Sequence, residues 1–434
     1  MFPTSFRQYS TRVMDYSKFM SKRSARRKSN LIRQMSGIYM ANPDLIPFAG
    51  GLPNTETFPF QKIDVTYKDG TRHELKGKDL DAALQYGCTE GYPPLIELWR
   101  DLQNRWHSPP RDDWEVLVTT GSQEACSRIL DHFLDEGDPV MVQIPAYTGT
   151  LGALDPLAPE FIGIEQDAEG IVPDKIRQVC EARKRDGLPK PKLLSVNPTG
   201  SNPTGAVLSE ERRREVYALA QKYDFLILED DAYYFVNFLE HRPTSFFSMD
   251  TDGRVMRVDS FSKILSAGIR IGILTAHKDV IRQITMHITS GTLHTSSLSQ
   301  MLVYKLLNTW GPERFEEHLK EVQSFYRKKR DMMVSLVEKH LTGLAEWSVP
   351  QGGMFIWIKI KSIDNVFDLV LEEFVANGVL VLPGHAFNED IKHPDQHVRL
   401  SYSYASPEKV DKGLSIMARL IKEQISKKNV QGQR

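Results

Sequence analysis

The sequence predicts an α/β protein: a mostly parallel sheet lying between helices, plus a smaller α+β unit. Three observations carry that prediction. From about residue 44 onward, short apolar, β-branched runs alternate with longer amphipathic stretches, and brief apolar strands separated by helices read as a parallel sheet covered on both faces. A long charged amphipathic stretch, 312–341, then separates this pattern from a second, shorter set of strand-like runs. Finally, 434 residues are enough for two or three domains and a large core.

Taken in order, strands are expected at 116–118, 139–144, 161–164, 192–196, 225–228, 255–258 and 271–274. Between them, 209–223 reads as a helix because Val216, Leu219 and Ala220 recur at helical spacing. The run 312–341 reads as one long helix, 354–360 and 379–382 as strands of the smaller unit, and 407–426 as a closing helix.

Composition narrows the function classes. Lys plus Arg number 55 against 56 Asp plus Glu, a net charge of −1, so the chain lacks the cationic surplus that nucleic-acid binding needs. No apolar run approaches the roughly 18 residues of a membrane helix. Cys88, Cys126 and Cys180 are odd in number and widely spaced, which argues against a disulfide framework or zinc knuckle. The histidines show no ligand spacing, so no metal is expected. P-loop and G-x-G-x-x-G dinucleotide motifs are absent.

The first 30 residues carry eight cations (Arg7, Arg12, Lys18, Lys22, Arg23, Arg26, Arg27 and Lys28) against Asp15 alone. Arg-rich, Ser-rich and acid-poor is the composition of an organelle transit peptide; a solvated basic arm is the alternative. Mitochondria are therefore the expected location, with a cytoplasmic form if Met14 serves as an internal start.

Chemistry concentrates in three pieces. The first is Val258-Asp259-Ser260-Phe261-Ser262-Lys263, followed by Gly268, Arg270 and Gly272. Ser260, Ser262 and Arg270 can supply donors to a phosphate, the arginine as a bidentate clamp. A lysine beside such a site loses its proton readily through desolvation and neighbouring positive charge, and becomes a nucleophilic amine. The second is Asn197-Pro198-Thr199-Gly200-Ser201-Asn202-Pro203-Thr204-Gly205, where proline and glycine fix a turn that aims an asparagine. Asn197 and Asn202 both stand before Pro-Thr-Gly, so two candidates exist. The third is Glu229-Asp230-Asp231-Ala232-Tyr233, acids at a buried strand's end, which need a positive partner there; a protonated pyridine nitrogen is one.

Together, Asn-Pro-Thr-Gly, Asp-x-x-Tyr and Ser-x-Ser-Lys with arginine seven residues on resemble the fold-type I pyridoxal-phosphate enzymes, specifically the class I/II aminotransferases. Ala49-Gly50-Gly51-Leu52-Pro53, Gly121-Ser122-Gln123, Pro145-Ala146-Tyr147, Gly353-Met354-Phe355 and Val398-Arg399-Leu400 extend the resemblance to the kynurenine/α-aminoadipate aminotransferase family. It covers about residues 15–425, leaving 1–13 as an extension.

That resemblance implies pyridoxal 5′-phosphate as the cofactor and a role for each matching residue. Lys263 would carry the cofactor and shuttle the proton; Asp230 would keep the ring nitrogen protonated. Asn202, preferred over Asn197, and Tyr233 would hold the ring oxygen, and Tyr147 would lie on the ring face. Ser122, Gln123, Ser260, Ser262 and Arg270 would bind the phosphate, joined by Tyr86 from the other subunit of a homodimer. Arg399 would clamp the substrate carboxylate; Asn202, Tyr86, Gly51, Leu293 and Phe355 would line the pocket, and Arg33 would close over a distal carboxylate. The substrates implied are 2-aminoadipate, kynurenine and related amino acids, with 2-oxoglutarate as acceptor in ping-pong transfer; neither nucleic acid nor membrane is a partner. The organisation implied is a basic segment 1–30, an arm 31–60 serving the small domain and a substrate gate, a large cofactor-binding domain 61–310 and a small domain 311–434. A lyase or synthase on the same fold, or a non-catalytic ligand-sensing module, are the alternatives.

Overall fold

The structure is a computed structural model that describes residues 14–32, 35, 38, 39, 42, 44–46, 48, 49 and 51–431. Residues 1–13, the first part of the expected leader, lie outside the described residues, as does Arg33. The chain is α/β and holds parallel ladders as well as antiparallel ones. It forms two compact units, each built from several stretches of sequence.

The first unit takes the chain up to Glu136, Phe225–Asp230 and Thr244–Glu316. After a hairpin of β1 (Ile63–Thr66) and β2 (Arg72–Leu75), its ladder contains β3 (Trp114–Thr119), β8 (Leu226–Asp230), β9 (Val255–Ser260) and β10 (Gly272–His277). All residues of β9 and β10 are buried, which is why their apolar residues do not alternate with exposed ones. β8 and β9 pair in parallel, whereas β10 runs antiparallel to both β3 and β9. In that register Gly272 faces Thr119 on one side and Ser260 on the other. The C-terminal ends of β3 and β9 therefore lie level, and the ends of parallel strands are where such sheets bind ligands.

The described part of the basic segment packs one side and leaves Lys18, Lys22, Arg26 and Lys28 exposed. Tyr16, Phe19, Ser21 and Ser24 are buried. Ser21 donates its backbone N–H to the His132 carbonyl (2.8 Å), Arg23 reaches the Leu134 carbonyl (2.8 Å), and Arg27 pairs with Asp131 (3.0 Å). These contacts close the last turn of the helix Ser122–Phe133, where carbonyls lack helical partners and cations are favoured.

The second unit takes Gly137–Asp224, Asp231–Pro243 and Glu317–Arg434. Here β4 (Pro139–Ile144) pairs in parallel with β7 (Leu193–Val196) and β5 (Glu160–Asp167), and β6 (Gly170–Ile171) returns antiparallel to β5. A separate antiparallel sheet has the order β11 (Ala345–Trp347), β12 (Phe355–Ile360), β14 (His397–Ser401), β13 (Leu382–Pro383). Trp357 lies opposite Arg399, and Lys359 opposite His397. Side chains alternate along a strand and cross-strand partners share a face; Phe355, Trp357, His397 and Arg399 thus project from one side.

Two expectations change. β10 opposes its neighbours, because apolarity reports burial and not strand direction. Of 379–382 only Leu382 is in a strand; Val379 and Val381 are buried outside it, so core packing produced the apolar run. The helix expected over 312–341 is present, and a second helix from Ser297 precedes it, the two separated where Gly311 takes φ 68° just before Pro312.

Candidate functional site

In the first unit, the level ends of β3 and β9 bring the Gly121 turn and Arg270 together. Gly121, at φ 79°, turns the chain from β3 into the helix Ser122–Phe133, whose N-terminus no described side chain caps. Such an end offers backbone N–H groups and a positive dipole to an anion. The Arg270 guanidinium lies over this turn: Nη2 donates to the Thr120 carbonyl (3.3 Å) and Nη1 to Ser262 Oγ (3.4 Å) and the Ala267 carbonyl (3.1 Å). Arg270 itself occupies the left-handed region (φ 55°), a conformation costly for a non-glycine residue and frequent at functional sites. The cradle leaves no room for added carbon. A Cβ on Gly121 would overlap Arg270, and one on Gly272 would overlap the backbone of Gly121 and Ser122. Ser260 Oγ accepts the Ser262 backbone N–H (3.2 Å), which fixes the turn that presents Ser262 and Lys263.

Lys263 is partly buried. Burial, and then the Arg270 charge, pull its pKa below that of an ordinary lysine, with Asp230 opposing them. This is the direction a nucleophilic amine requires. Asp230 ends β8, and beneath it the fully buried Cys126 thiol is pushed up in pKa by burial and then by the Asp230 charge. Cys126 thus stays a neutral thiol beside the carboxylate.

On one face of β8 and β9, Glu229, Arg257 and Asp259, with Gln103, form a buried polar network. Arg257 lies 3.3 Å from Glu229 and 2.7 Å from Asp259; Gln103 donates to Asp259 (2.6 Å), and the Phe246 and Phe247 N–H groups donate to Glu229 (2.8 and 3.2 Å). Tyr86 is 48% exposed and meets the His294 ring edge-on at 6.0 Å. Neighbouring Leu293 is exposed at φ 65°, and Gly51 borders open space.

The second unit gathers the remaining residues around Arg399. Its Nη1 donates to Asn202 Oδ1 (2.8 Å), and the Asn202 N–H donates to Asn197 Oδ1 (2.9 Å). Asn197 therefore acts as a platform for Asn202, whose amide NH2 is left to donate elsewhere. The Arg399 guanidinium carbon stands 4.0 Å from the Phe355 ring centre, and Phe355 meets buried Tyr233 edge-on at 6.2 Å. Burial lowers the Arg399 pKa against the opposing influence of Tyr233 and Tyr147. Its Nε is buried without a hydrogen-bond partner among the described residues, a desolvated donor that an incoming carboxylate would satisfy. Tyr147 precedes the helix Thr148–Leu154 at the end of β4.

Sequence reasoning missed Cys126, the buried Arg257 network, Gln103 and the platform role of Asn197. The duplicated Asn-Pro-Thr-Gly was one available signal. Arg257, a charge inside an otherwise apolar run, was another that went unused.

Pyridoxal phosphate fits what the first unit offers: an anion cradle sterically closed to side chains, an amine with a depressed pKa, and a carboxylate at a strand end. Among the described residues no group of three or more His, Cys, Asp or Glu could hold a metal ion, and no helix is long and apolar enough to cross a membrane.

The family profile described as "Aminotransferase class I and II" matches residues 66–416. A kynurenine/alpha-aminoadipate aminotransferase, mitochondrial, from Bos taurus is 41% identical over 425 residues, covering 95% of this chain and 100% of the relative. Among solved structures, aminotransferase Aro8 from Candida albicans has a TM-score of 0.85 at 26% identity, covering 95% of this chain and 99% of that one. The kynurenine aminotransferase of Pyrococcus horikoshii, solved with PMP, kynurenine and its product, has a TM-score of 0.76 at 30% identity, covering 95% and 98%.

Proposed function

Because this chain belongs to the class I and II aminotransferase family, we propose that it moves the amino group of L-2-aminoadipate and L-kynurenine to 2-oxoglutarate. It is a pyridoxal-phosphate enzyme, and its substrates are amino acids and 2-oxo acids. The bound cofactor supplies an aldehyde that accepts the amino group and a ring that disperses negative charge from Cα.

Around it, each residue has one task in this reading. Arg270, Ser260, Ser262 and the turn at Ser122 and Gln123 hold the phosphate. Asp230 keeps the ring nitrogen protonated, with the neutral Cys126 thiol leaving that charge undiluted. Lys263, its pKa lowered, carries the proton to and from Cα. Asn202 and Tyr233 take the ring oxygen, Tyr147 the ring face, and Arg399 the α-carboxylate. Phe355, Leu293 and Gly51 shape the side-chain pocket.

The homodimer belongs to the same proposal. Tyr86 is half exposed, and Leu31, Ile32, Ile46 and Phe48 are each more than half exposed; apolar surface of that extent in one stretch favours a covering partner. Arg33 is assigned to the distal carboxylate of dicarboxylic substrates, so Arg33→Ala should lose more on 2-aminoadipate than on kynurenine. A mitochondrial location is supported by the basic leading segment and by the mitochondrial relatives from Bos taurus and Rattus norvegicus. N-terminal sequencing of protein from isolated mitochondria tests it, with cleavage ahead of Asp15 expected.

One observation carries the reading: a single strand register brings the Gly121 turn, Lys263 and Arg270 around one anion-sized space. The experiment is an amino-donor panel with 2-oxoglutarate on the holoenzyme and on Lys263→Ala. Glutamate formation from 2-aminoadipate and kynurenine, absent in the variant, is expected. Ammonia release without an acceptor, or full turnover by Lys263→Ala, overturns it.

A further inference from the structure

Arg399 is held by more than its one side-chain hydrogen bond. Its guanidinium carbon lies 4.0 Å from the Phe355 ring centre and 5.1 Å from that of Phe387. Two rings therefore offer the cation their negative faces. Phe387 is wholly buried and meets Trp357 edge-on, 5.4 Å between centres at 86°. The other side of Trp357 is stacked on the His397 imidazole, 5.0 Å apart and only 6° from parallel. His397 Nδ1 lies 2.7 Å from Asp395 Oδ1, which also accepts the His397 backbone N–H (2.7 Å), while Asn388 donates to Asp395 Oδ2 (2.9 Å).

We propose that Phe387, Trp357 and the His397–Asp395 pair form a brace that positions the Arg399 guanidinium for the substrate carboxylate. The inference rests on the assignment of Arg399 to that carboxylate. With Nη1 on Asn202 and Nε unpaired among the described residues, hydrogen bonds leave the plane of the guanidinium free to tilt about one contact. The aromatic faces are what hold that plane.

The brace cannot rely on close packing behind it. A cavity of about 580 Å3 lies on its outer side, lined by Trp357, His397, Asp395 and Asn388 together with Trp347 and Val349. A ring bordering open volume has few atoms on that side to hold it. The stack on His397, itself fixed by Asp395, supplies the missing restraint, and Trp357 lies directly opposite Arg399 across the β12–β14 pair. Shortening Trp357 or Phe387 opens a route for the guanidinium's support to relax into the cavity.

The test is steady-state kinetics of the holoenzyme with Phe387→Leu, Phe387→Tyr, Trp357→Phe and Arg399→Ala, and with Phe387→Leu combined with Arg399→Ala. Phe387→Leu is expected to raise KM for amino donor and oxo acid alike by roughly five- to thirtyfold, the range of a cation–π contact between partial and full desolvation, with kcat little changed. Phe387→Tyr should restore KM. In the Arg399→Ala background Phe387→Leu should have no further effect on KM, since a brace acts only through what it supports. An unchanged KM in Phe387→Leu, or an equal rise in both backgrounds, overturns the brace while leaving Arg399 assigned. An unchanged KM in Arg399→Ala instead removes the assignment beneath it. Should Phe387→Leu fail to fold, Trp357→Phe in both backgrounds gives the same comparison.

Discussion

Glu229 on β8 and Arg257 on β9 face each other 3.3 Å apart, and neither side chain has any solvent exposure. The residues that follow them in the chain, Asp230 and Val258, are register partners at the site edge. A buried ion pair adds little net stability over a well-packed apolar pair, but removing one partner strands the other charge. Glu229→Ala takes from Arg257 its carboxylate partner on β8 and from the Phe246 and Phe247 N–H groups their acceptor. We expect a loss of about 3–5 kcal/mol, read as a lowered denaturant midpoint. A change below about 1 kcal/mol, within the range of surface pairs, contradicts the role given to the network.

Gly121 offers a direct check on the phosphate cradle. At φ 79°, with a Cβ directed into Arg270, Gly121→Ala must displace the guanidinium or distort the turn. The cofactor dissociation constant, measured by titrating apoprotein with pyridoxal phosphate, should rise by at least roughly tenfold, about 1.4 kcal/mol. Gly137→Ala, where φ is 75° but no atom stands within 4 Å, separates the two effects: it carries the backbone strain alone and should leave cofactor affinity unchanged.

The depressed pKa of Lys263 has a readable consequence in the apoprotein. Burial and Arg270 both favour the neutral amine, so Lys263 should react with an acylating reagent at a lower pH than exposed lysines do. Arg270→Met removes one of those influences and should move the reactivity profile to higher pH. Peptide mapping after pulsed acylation across pH measures both. A profile that stays in place on loss of Arg270 assigns the whole depression to burial.

Two buried histidines predict acid sensitivity. His132 and His287 are each pulled down to about pH 4, chiefly by burial, with Arg27 adding to it in both and Arg128 in His287; Asp131 opposes. The unfolded chain binds protons on these rings near pH 6.5, and the native one only near 4. Between those values the unfolded state holds more protons, so stability is present at neutral pH and falls as pH drops through 6.5 toward 4. Each ring contributes at most about 1.4 kcal/mol per pH unit in that window. His132→Phe should flatten the decline in thermal midpoint between pH 7 and 5; an undiminished slope places the sensitivity elsewhere.

Burial was legible in the sequence and direction was not. The runs at 139–144 and 255–258 stand out because strands covered on both faces are mostly apolar, Gln143 and Arg257 being the exceptions. Nothing in composition told that β10 runs against its neighbours, since hydrogen-bond direction leaves no mark on side-chain polarity. The β1–β2 hairpin escaped because its exposed faces dilute the apolar signal, although Asp69-Gly70 at its turn was there to be read. In the site, Lys263, Arg270 and Asp230 were legible because their motifs are local. Phe387, His397 and Gln103 were not: each acts through a partner brought near by folding, and none sits in a pattern of its own.

The helix Ser122–Phe133 is a rod of about 18 Å at 1.5 Å per residue, with the proposed coenzyme seat at its first turn and the Ser21 anchor on its last. A motor that drags the chain by its leading end meets that anchor first and the rod next. Vitamin B6 bound at the opposite end then becomes ballast against extraction, so a protease or translocase pulling from the N-terminus should stall on the loaded enzyme and run through the empty one. Degradation rates with and without the vitamin, at matched temperature, measure that difference; identical rates would mean the rod transmits no load.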